Sequence, residues 1–190
     1  MLMRWQLAYP GAPLPLIGAL FGESRMPGGS MLPEFYNELG AMHGTIMVFL
    51  GVVPLAVGGF GNFVLPLQIG APDMAFPKLN MFSFWVGLVS GVVMLASFFV
   101  PGGPAAGGWT SYAPLSAVPS YTGVTWGQHL WIISLIILGI SSLMGSINYI
   151  TTVINMRAPG MTYFRMPLTV WSLFITAILL LLALPVLTAA

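Results

Sequence analysis

The sequence predicts an all-α protein, a polytopic bundle of transmembrane helices of which four spans are present. Of its 190 residues, 57% are hydrophobic and 5% are charged, whereas a soluble domain carries about 25% charged residues. All nine charged residues lie outside four apolar runs of 20 to 27 residues, at about 41–67, 81–100, 130–156 and 166–190. Each run is long enough to span a bilayer and must be helical, because a helix satisfies its own backbone in lipid.

The composition also excludes several classes of protein. The chain contains no cysteine, which excludes a disulfide-stapled scaffold. Its net charge of +1 provides no basic patch, so we expect no nucleic-acid partner. We divide the chain into an outer-face segment at 1–40, which includes the tail of a preceding span, and a transmembrane helical region at 41–190.

The loop charges predict an orientation. Lys78 lies in the turn at 68–80, and Arg157 and Arg165 lie between the third and fourth runs, while the loop at 101–129 carries no charge. Basic loops stay on the cytoplasmic side. We therefore expect both basic turns on the cytoplasmic or matrix side, and the long loop and the N-terminal segment outside.

His43 lies near the outer end of the first run, where an ionisable residue suggests a function. One histidine cannot complete a zinc or copper site, but a haem iron needs only one axial ligand from a helix. A histidine hydrogen-bonded to a neighbouring helix is the alternative, and the residues alone leave both interpretations open.

A polar stripe follows one face of the third run. Its members share helical spacings of 7, 7, 4 and 3 residues, and they are Ser134, Ser141, Asn148, Thr152 and Asn155. The stripe indicates either hydrogen bonds between helices or one wall of a hydrated proton path. Left unpaired in lipid, these groups would be costly, so we expect the four helices to pack against further helices, from another chain or from a segment outside this sequence.

Asp73 is the only acidic residue on the basic, inner side. It lies in a turn bounded by Pro72 and Pro77, between Asn62 at the end of the first run and Asn80 at the start of the second. A carboxylate there either caps the turn or collects protons from water at the inner face.

Two stretches carry a family resemblance: MHGTIMVFLGVVPLAVGGFGNFVLPLQIGAPDMAFPKLNMFSFW from Met42 and GISSLMGSINYITTVINMRAPGMTYFRMPLTVW from Gly139. They resemble subunit I of the haem–copper respiratory oxidases, a subunit of twelve spans. The chain is similar to the tail of the first span and to spans two to five. The resemblance implies part of the catalytic subunit of a proton-pumping terminal oxidase that reduces oxygen to water. It also implies a bacterial cytoplasmic membrane, with the mitochondrial inner membrane as the alternative.

The resemblance assigns roles to individual residues. It implies that His43 is an axial ligand of the low-spin haem iron, with haem A as the expected cofactor. Arg4 matches an arginine that hydrogen-bonds the haem formyl group, and Tyr36 and Trp109 resemble residues near the propionates. Asp73 matches the entrance of the D proton pathway. Polar residues that match the lining of that pathway are Asn62, Asn80, Ser141, Ser142 and Asn148.

The chain also departs from the family pattern. It lacks the second axial ligand of the low-spin haem, the ligand of the second haem and the copper histidines. We therefore expect oxygen reduction to require the remainder of subunit I and other oxidase subunits. Phe35 and Glu38 stand where quinol oxidases of this family carry His and Gln, which favours cytochrome c as the electron donor. A quinol oxidase fragment and a non-catalytic membrane homologue remain the alternatives.

Overall fold

The computed structural model of the chain describes residues 1–14, 18–118 and 126–189. All of its regular secondary structure is helical. Four helices are long and apolar enough to cross a membrane, and no strand is formed in the described ranges, so the predicted all-α fold with four spans is confirmed. We number the helices α1 (Leu2–Ala8), α2 (Pro33–Ile69), α3 (Pro77–Ala96), α4 (Trp126–Asn155) and α5 (Leu168–Ala189).

The helix bounds differ from the apolar runs where local chemistry extends a helix. Helix α2 begins at Pro33, not near residue 41, because proline suits the first turn and Glu34 adds a favourable negative charge there. Helices α3 and α4 both begin four residues before their apolar runs. In the predicted loop at 101–129, residues 101–118 form turns, and residues 119–125 lie outside the described part, as does residue 190.

Helix α2 widens in its middle. From Ile46 to Val52, and again from Pro54 to Gly61, its turns are of the wider π type. Pro54 lacks the N–H that regular α-helical bonding requires, which gives a local cause for the altered pattern. The helix ends at Ile69, and Gly70 follows in the left-handed conformation with φ of 74°.

The first of two compact units comprises Met1–Leu50 and Val92–Ile132. Its buried cluster is formed by Leu14, Met26, Met31 and Phe35. The guanidinium group of Arg25 donates hydrogen bonds to the carbonyl oxygens of Phe98 and Val100. These carbonyls lie just after the end of α3, where backbone acceptors have no helical partner.

The second unit comprises Gly51–Gly91 and Ile133–Ala190. Its core is apolar and consists of Leu65, Ile69, Ala71, Met74, Tyr149, Val153, Met166, Val170 and Ala177. Within this unit the first half of α3 runs antiparallel to α4. Ser90 and Ser134 each donate a 2.8 Å hydrogen bond to the other's carbonyl oxygen, and Ser141 donates to the carbonyl of Ser83 at 2.6 Å.

Candidate functional sites

The imidazole of His43 points away from the buried side of α2. Its neighbours Met42 and Thr45 are 0% and 1% exposed, whereas His43 itself is exposed. No hydrogen bond from a described residue engages the imidazole. The alternative in which His43 is hydrogen-bonded to a neighbouring helix therefore has no support among the described residues of this chain.

A hydrogen bond between two helices fixes this part of α2. The indole Nε1 of Trp131, on α4, donates to Oγ1 of Thr45 at 3.2 Å, and both side chains are buried. Thr45 in turn donates to the carbonyl oxygen of Ala41. Because His43 lies between Ala41 and Thr45, these bonds hold the backbone that carries the imidazole.

The three residues that resemble haem contacts lie near the same stretch of α2. Tyr36 precedes His43 by seven residues, which is about two turns, so both lie on one helical face. Trp109 packs beside Phe49, with ring centroids 6.4 Å apart. Arg4 is exposed on α1, which lies beside α2, since a Cβ atom on Gly40 would come within 3.5 Å of Cε of Met3.

Sequence reasoning missed the environment of Glu38. It used this residue only to distinguish electron donors, yet the side chain is 9% exposed and its Oε2 has no hydrogen-bond partner. Its carboxylate packs against Gly103, and Arg25 is the cation that acts on it. The sequence shows two arginines and three glutamates among residues 1–40, and it does not indicate which of them come together.

Asp73 lies in a turn whose apolar residues are buried. Ala71 and Met74 belong to the core of the second unit, while Asp73 is exposed. Its Oδ1 accepts a 2.7 Å hydrogen bond from the backbone N–H of Met74. The carboxylate therefore caps its own turn and at the same time remains open to water, so the two interpretations of Asp73 are compatible in geometry.

Side chains from α4 hold the residues that follow Asp73. Oδ1 of Asn148 accepts from the N–H of Phe76 at 2.9 Å, and its Nδ2 donates to the Phe76 carbonyl at 3.4 Å. Oγ1 of Thr152 accepts from the N–H of Ala75 at 2.9 Å. Both α4 side chains are 0% exposed. We call Asn148 and Thr152, with these bonds to Ala75 and Phe76, the turn clip.

The other residues predicted for the proton pathway are only partly brought together. Ser141 contacts the backbone of Ser83, and Ser83 donates to the carbonyl of Asn80 one turn earlier. Asn62 donates to the carbonyl of Gly58 within α2, and its buried Oδ1 has no partner. The carbonyl of Ser142 accepts a hydrogen bond from Ser146.

The polar stripe of the third span is satisfied largely by α3 and the turn before it. Four of its members, Ser134, Ser141, Asn148 and Thr152, hydrogen-bond to residues between 75 and 90. The hydrogen-bonding interpretation of the stripe is therefore correct for these four. The chain itself supplies the partners of these four side chains, so their hydrogen bonds alone do not require helices from outside the chain.

Comparison with known proteins adds the family. The family described as "Cytochrome C and Quinol oxidase polypeptide I" matches residues 1–190. A Nocardia farcinica protein named probable cytochrome c oxidase subunit 1-beta is 51% identical over 181 residues, which cover 92% of this chain and 30% of that protein. Cytochrome c oxidase subunit 1 of Corynebacterium efficiens is 52% identical over 157 residues, which cover 83% of this chain and 27% of that protein.

A third relative matches along the whole chain. The Streptomyces avermitilis protein named probable cytochrome c oxidase subunit 1-alpha is 44% identical over 190 residues, which are 100% of this chain and 30% of that protein. The chain thus spans under a third of the length of these relatives. With its four apolar helices it is an integral membrane protein, and it belongs to the family of cytochrome c and quinol oxidase subunit I polypeptides.

Proposed function

We propose that this chain forms part of the catalytic subunit of a proton-pumping terminal oxidase that reduces oxygen to water with electrons from cytochrome c. The observation that carries the proposal is a sequence identity of 51% and 52%, along most of the chain, with two relatives named cytochrome c oxidase subunit 1. The activity belongs to the assembled enzyme. Its partners are the rest of subunit I, other oxidase subunits and cytochrome c, all in or at a lipid membrane.

His43 is the proposed axial ligand of a low-spin haem. The fit rests on its exposed imidazole, which no described residue engages. Haem A is the proposed type, and when bound it supplies a one-electron carrier. The described residues bring together no group of three or more His, Cys, Asp or Glu side chains, so we assign this chain one haem ligand and leave the second haem and the copper to the complete subunit.

Three further residues would bind the edge of that haem. The guanidinium group of Arg4 would donate a hydrogen bond to the formyl group, and its positive charge would favour the reduced state. Tyr36 and Trp109 would lie near the propionates. Each of the three lies beside the outer part of α2 or on it, which agrees with one shared ligand.

Asp73 is the proposed point of proton uptake on the inner face. An exposed carboxylate attracts protons and exchanges them with bulk water. Neutral amides and hydroxyls both donate and accept hydrogen bonds, so they order water without trapping charge. The proposed pathway continues along Asn62, Asn80, Ser141, Ser142 and Asn148.

The bacterial cytoplasmic membrane is the proposed location. The three relatives described above all come from bacteria. The orientation predicted from the basic turns places Asp73 on the cytoplasmic side and His43 towards the outside.

A donor assay on the complete enzyme tests the proposal. We expect oxygen consumption with reduced cytochrome c and little with a quinol. Activity with quinol alone would make the chain part of a quinol oxidase, and the absence of both activities from an intact, haem-loaded complex would favour a non-catalytic homologue. As a test of the inner face, Asp73→Asn should slow turnover strongly and leave haem content unchanged, because asparagine caps a turn about as well as aspartate.

A further inference from the structure

Two backbone N–H groups that follow Asp73 donate hydrogen bonds to side chains of α4. Ala75 and Phe76 precede α3, and Pro77 begins it. N–H groups at this position lie outside the helical bonding pattern and need another acceptor. The turn clip supplies both acceptors from one face of α4, at 2.9 Å each.

Thr152 links the two halves of the turn clip. Its hydroxyl accepts from the N–H of Ala75 and donates to the carbonyl oxygen of Asn148 at 2.6 Å. The side chain of Thr152 is fully buried. Among the described residues, Thr152 makes no hydrogen bond to Asp73, whose Oδ1 bonds to Met74 instead. The hydrogen bond through which Thr152 acts on Asp73 is therefore the one to the backbone of Ala75, two residues farther along the chain.

Both ends of the Asn148 amide are also occupied. Oδ1 and Nδ2 each bond to Phe76, as two residues pair in an antiparallel ladder. On the other side of the turn, Met74 is 2% exposed and packs in the core. Asp73 is thus the exposed residue of a segment that is fixed by Met74, Ala75 and Phe76.

We propose that Thr152 is a positioning residue for proton uptake, acting together with Asn148 to hold the Asp73 carboxylate at the inner face. This inference deepens the proposed function and rests on it, because it matters to turnover only if Asp73 takes up protons. It gives Asn148 a specific role, holding the turn through its amide, in addition to its place beside the pathway.

The test compares three substitutions in the complete enzyme. Thr152→Val removes the hydroxyl and keeps the side-chain shape, and Thr152→Ser keeps the hydroxyl. The matched control is Thr151→Val, since the Thr151 hydroxyl bonds only to the carbonyl of Ile147 in its own helix. We expect Thr152→Val alone to speed amide hydrogen exchange in the segment with Ala75 and Phe76, by about five- to tenfold for one lost hydrogen bond.

Turnover and its pH profile are the functional readouts. We expect Thr152→Val to lower turnover, by up to about a hundredfold if the carboxylate moves by about 1 Å, and to shift the pH profile. Thr152→Ser should restore both. Haem content should equal that of Thr151→Val, which separates this effect from general misfolding.

A double variant distinguishes failure of this inference from failure of the proposed function. If Thr152 acts through Asp73, then Asp73→Asn with Thr152→Val should be no slower than Asp73→Asn alone. Multiplied losses would overturn the inference, as would faster exchange at Ala75 with unchanged turnover while Asp73→Asn remains slow. If Asp73→Asn itself turns over normally, the proton-uptake role of Asp73 fails, and the inference fails with it for that separate reason.

Discussion

The hydroxyl of Tyr149 on α4 donates a 2.5 Å hydrogen bond to the carbonyl oxygen of Val57 on α2. Val57 lies in the widened segment of α2, and Gly61 is the residue that lets the phenol approach. A Cβ atom on Gly61 would lie only 3.2 Å from Cζ of Tyr149. The lack of a side chain at Gly61 thus leaves room for the phenol of Tyr149 to reach the Val57 carbonyl.

Removing this hydroxyl tests the contact. We expect Tyr149→Phe to lower the free energy of unfolding of the assembled protein by about 1–2 kcal/mol, because the Val57 carbonyl loses a buried partner. Thermal unfolding in detergent measures the change. Tyr112→Phe is the control, since Tyr112 is 74% exposed. Equal melting temperatures for Tyr149→Phe and the wild type would contradict the assignment.

Alanine substitutions at two glycines are expected to change stability in opposite directions, because the two glycines have different backbone conformations. Gly70 has φ of +74°, and a Cβ atom there would lie 3.0 Å from Cβ of Ala158. We expect Gly70→Ala to cost about 1–2 kcal/mol, since a side chain is disfavoured in the left-handed region. Gly91 lies within α3 with no atom within 4 Å of an added Cβ, so Gly91→Ala should stabilise by up to about 1 kcal/mol. Thermal unfolding of both variants gives the comparison.

Arg25 is expected to stabilise the first unit through the end of α3. Arg25→Met removes two charge-assisted hydrogen bonds to Phe98 and Val100, and we expect a loss of about 2–3 kcal/mol. Arg165→Met is the control, because Arg165 is exposed and makes one 3.5 Å hydrogen bond.

The same substitution also leaves the buried carboxylate of Glu38 without its cation. A second change, Glu38→Gln, should therefore recover part of the stability lost in Arg25→Met, because the buried acid must otherwise stay as an uncompensated charge or take up a proton, and an amide does neither. Melting temperatures of the single and double variants measure the coupling. Additive losses would show that Glu38 and Arg25 do not interact.

The two histidines of the chain make a matched pair for the proposed haem ligand. We expect His43→Ala to abolish the low-spin haem absorption of the assembled enzyme, because an axial ligand is lost. His129→Ala should leave the spectrum unchanged, since His129 is exposed and its observed contact is with the ring of Trp126 at 5.8 Å. A normal low-spin spectrum in His43→Ala would remove the ligand assignment.

The sequence predicted the four spans because lipid leaves few choices: an apolar run of about 20 residues must form a helix. It misjudged the start of α2, where Pro33 and Glu34 favour a helix although they are not apolar. Hydropathy measures the free energy of transferring side chains into lipid, and it does not detect where a helix begins. The residues that favour a first helical turn are therefore needed as a second criterion for helix ends.

The candidate sites were only partly predictable. The spacing of the polar stripe predicted that its members share a face, but a spacing on one helix cannot identify the partner. The matching spacing of Phe76, Ser83 and Ser90 on the partner segment carried that information, and these residues pair with Asn148, Ser141 and Ser134. The contacts of Tyr149 and Arg25 depend on the folded backbone, and no spacing signals them.

The seven-residue spacing of the paired side chains along α3 and α4 also determines which insertions and deletions the protein tolerates. Deleting one residue between Ser83 and Ser90 would rotate one part of α3 by about 100° relative to the other. Either the pair at Ser134 or the pairs at Ser141 and Asn148 would then be lost, however conservative the remaining residues are. Insertions and deletions in homologous chains should therefore be absent from this stretch, even where single residues vary freely.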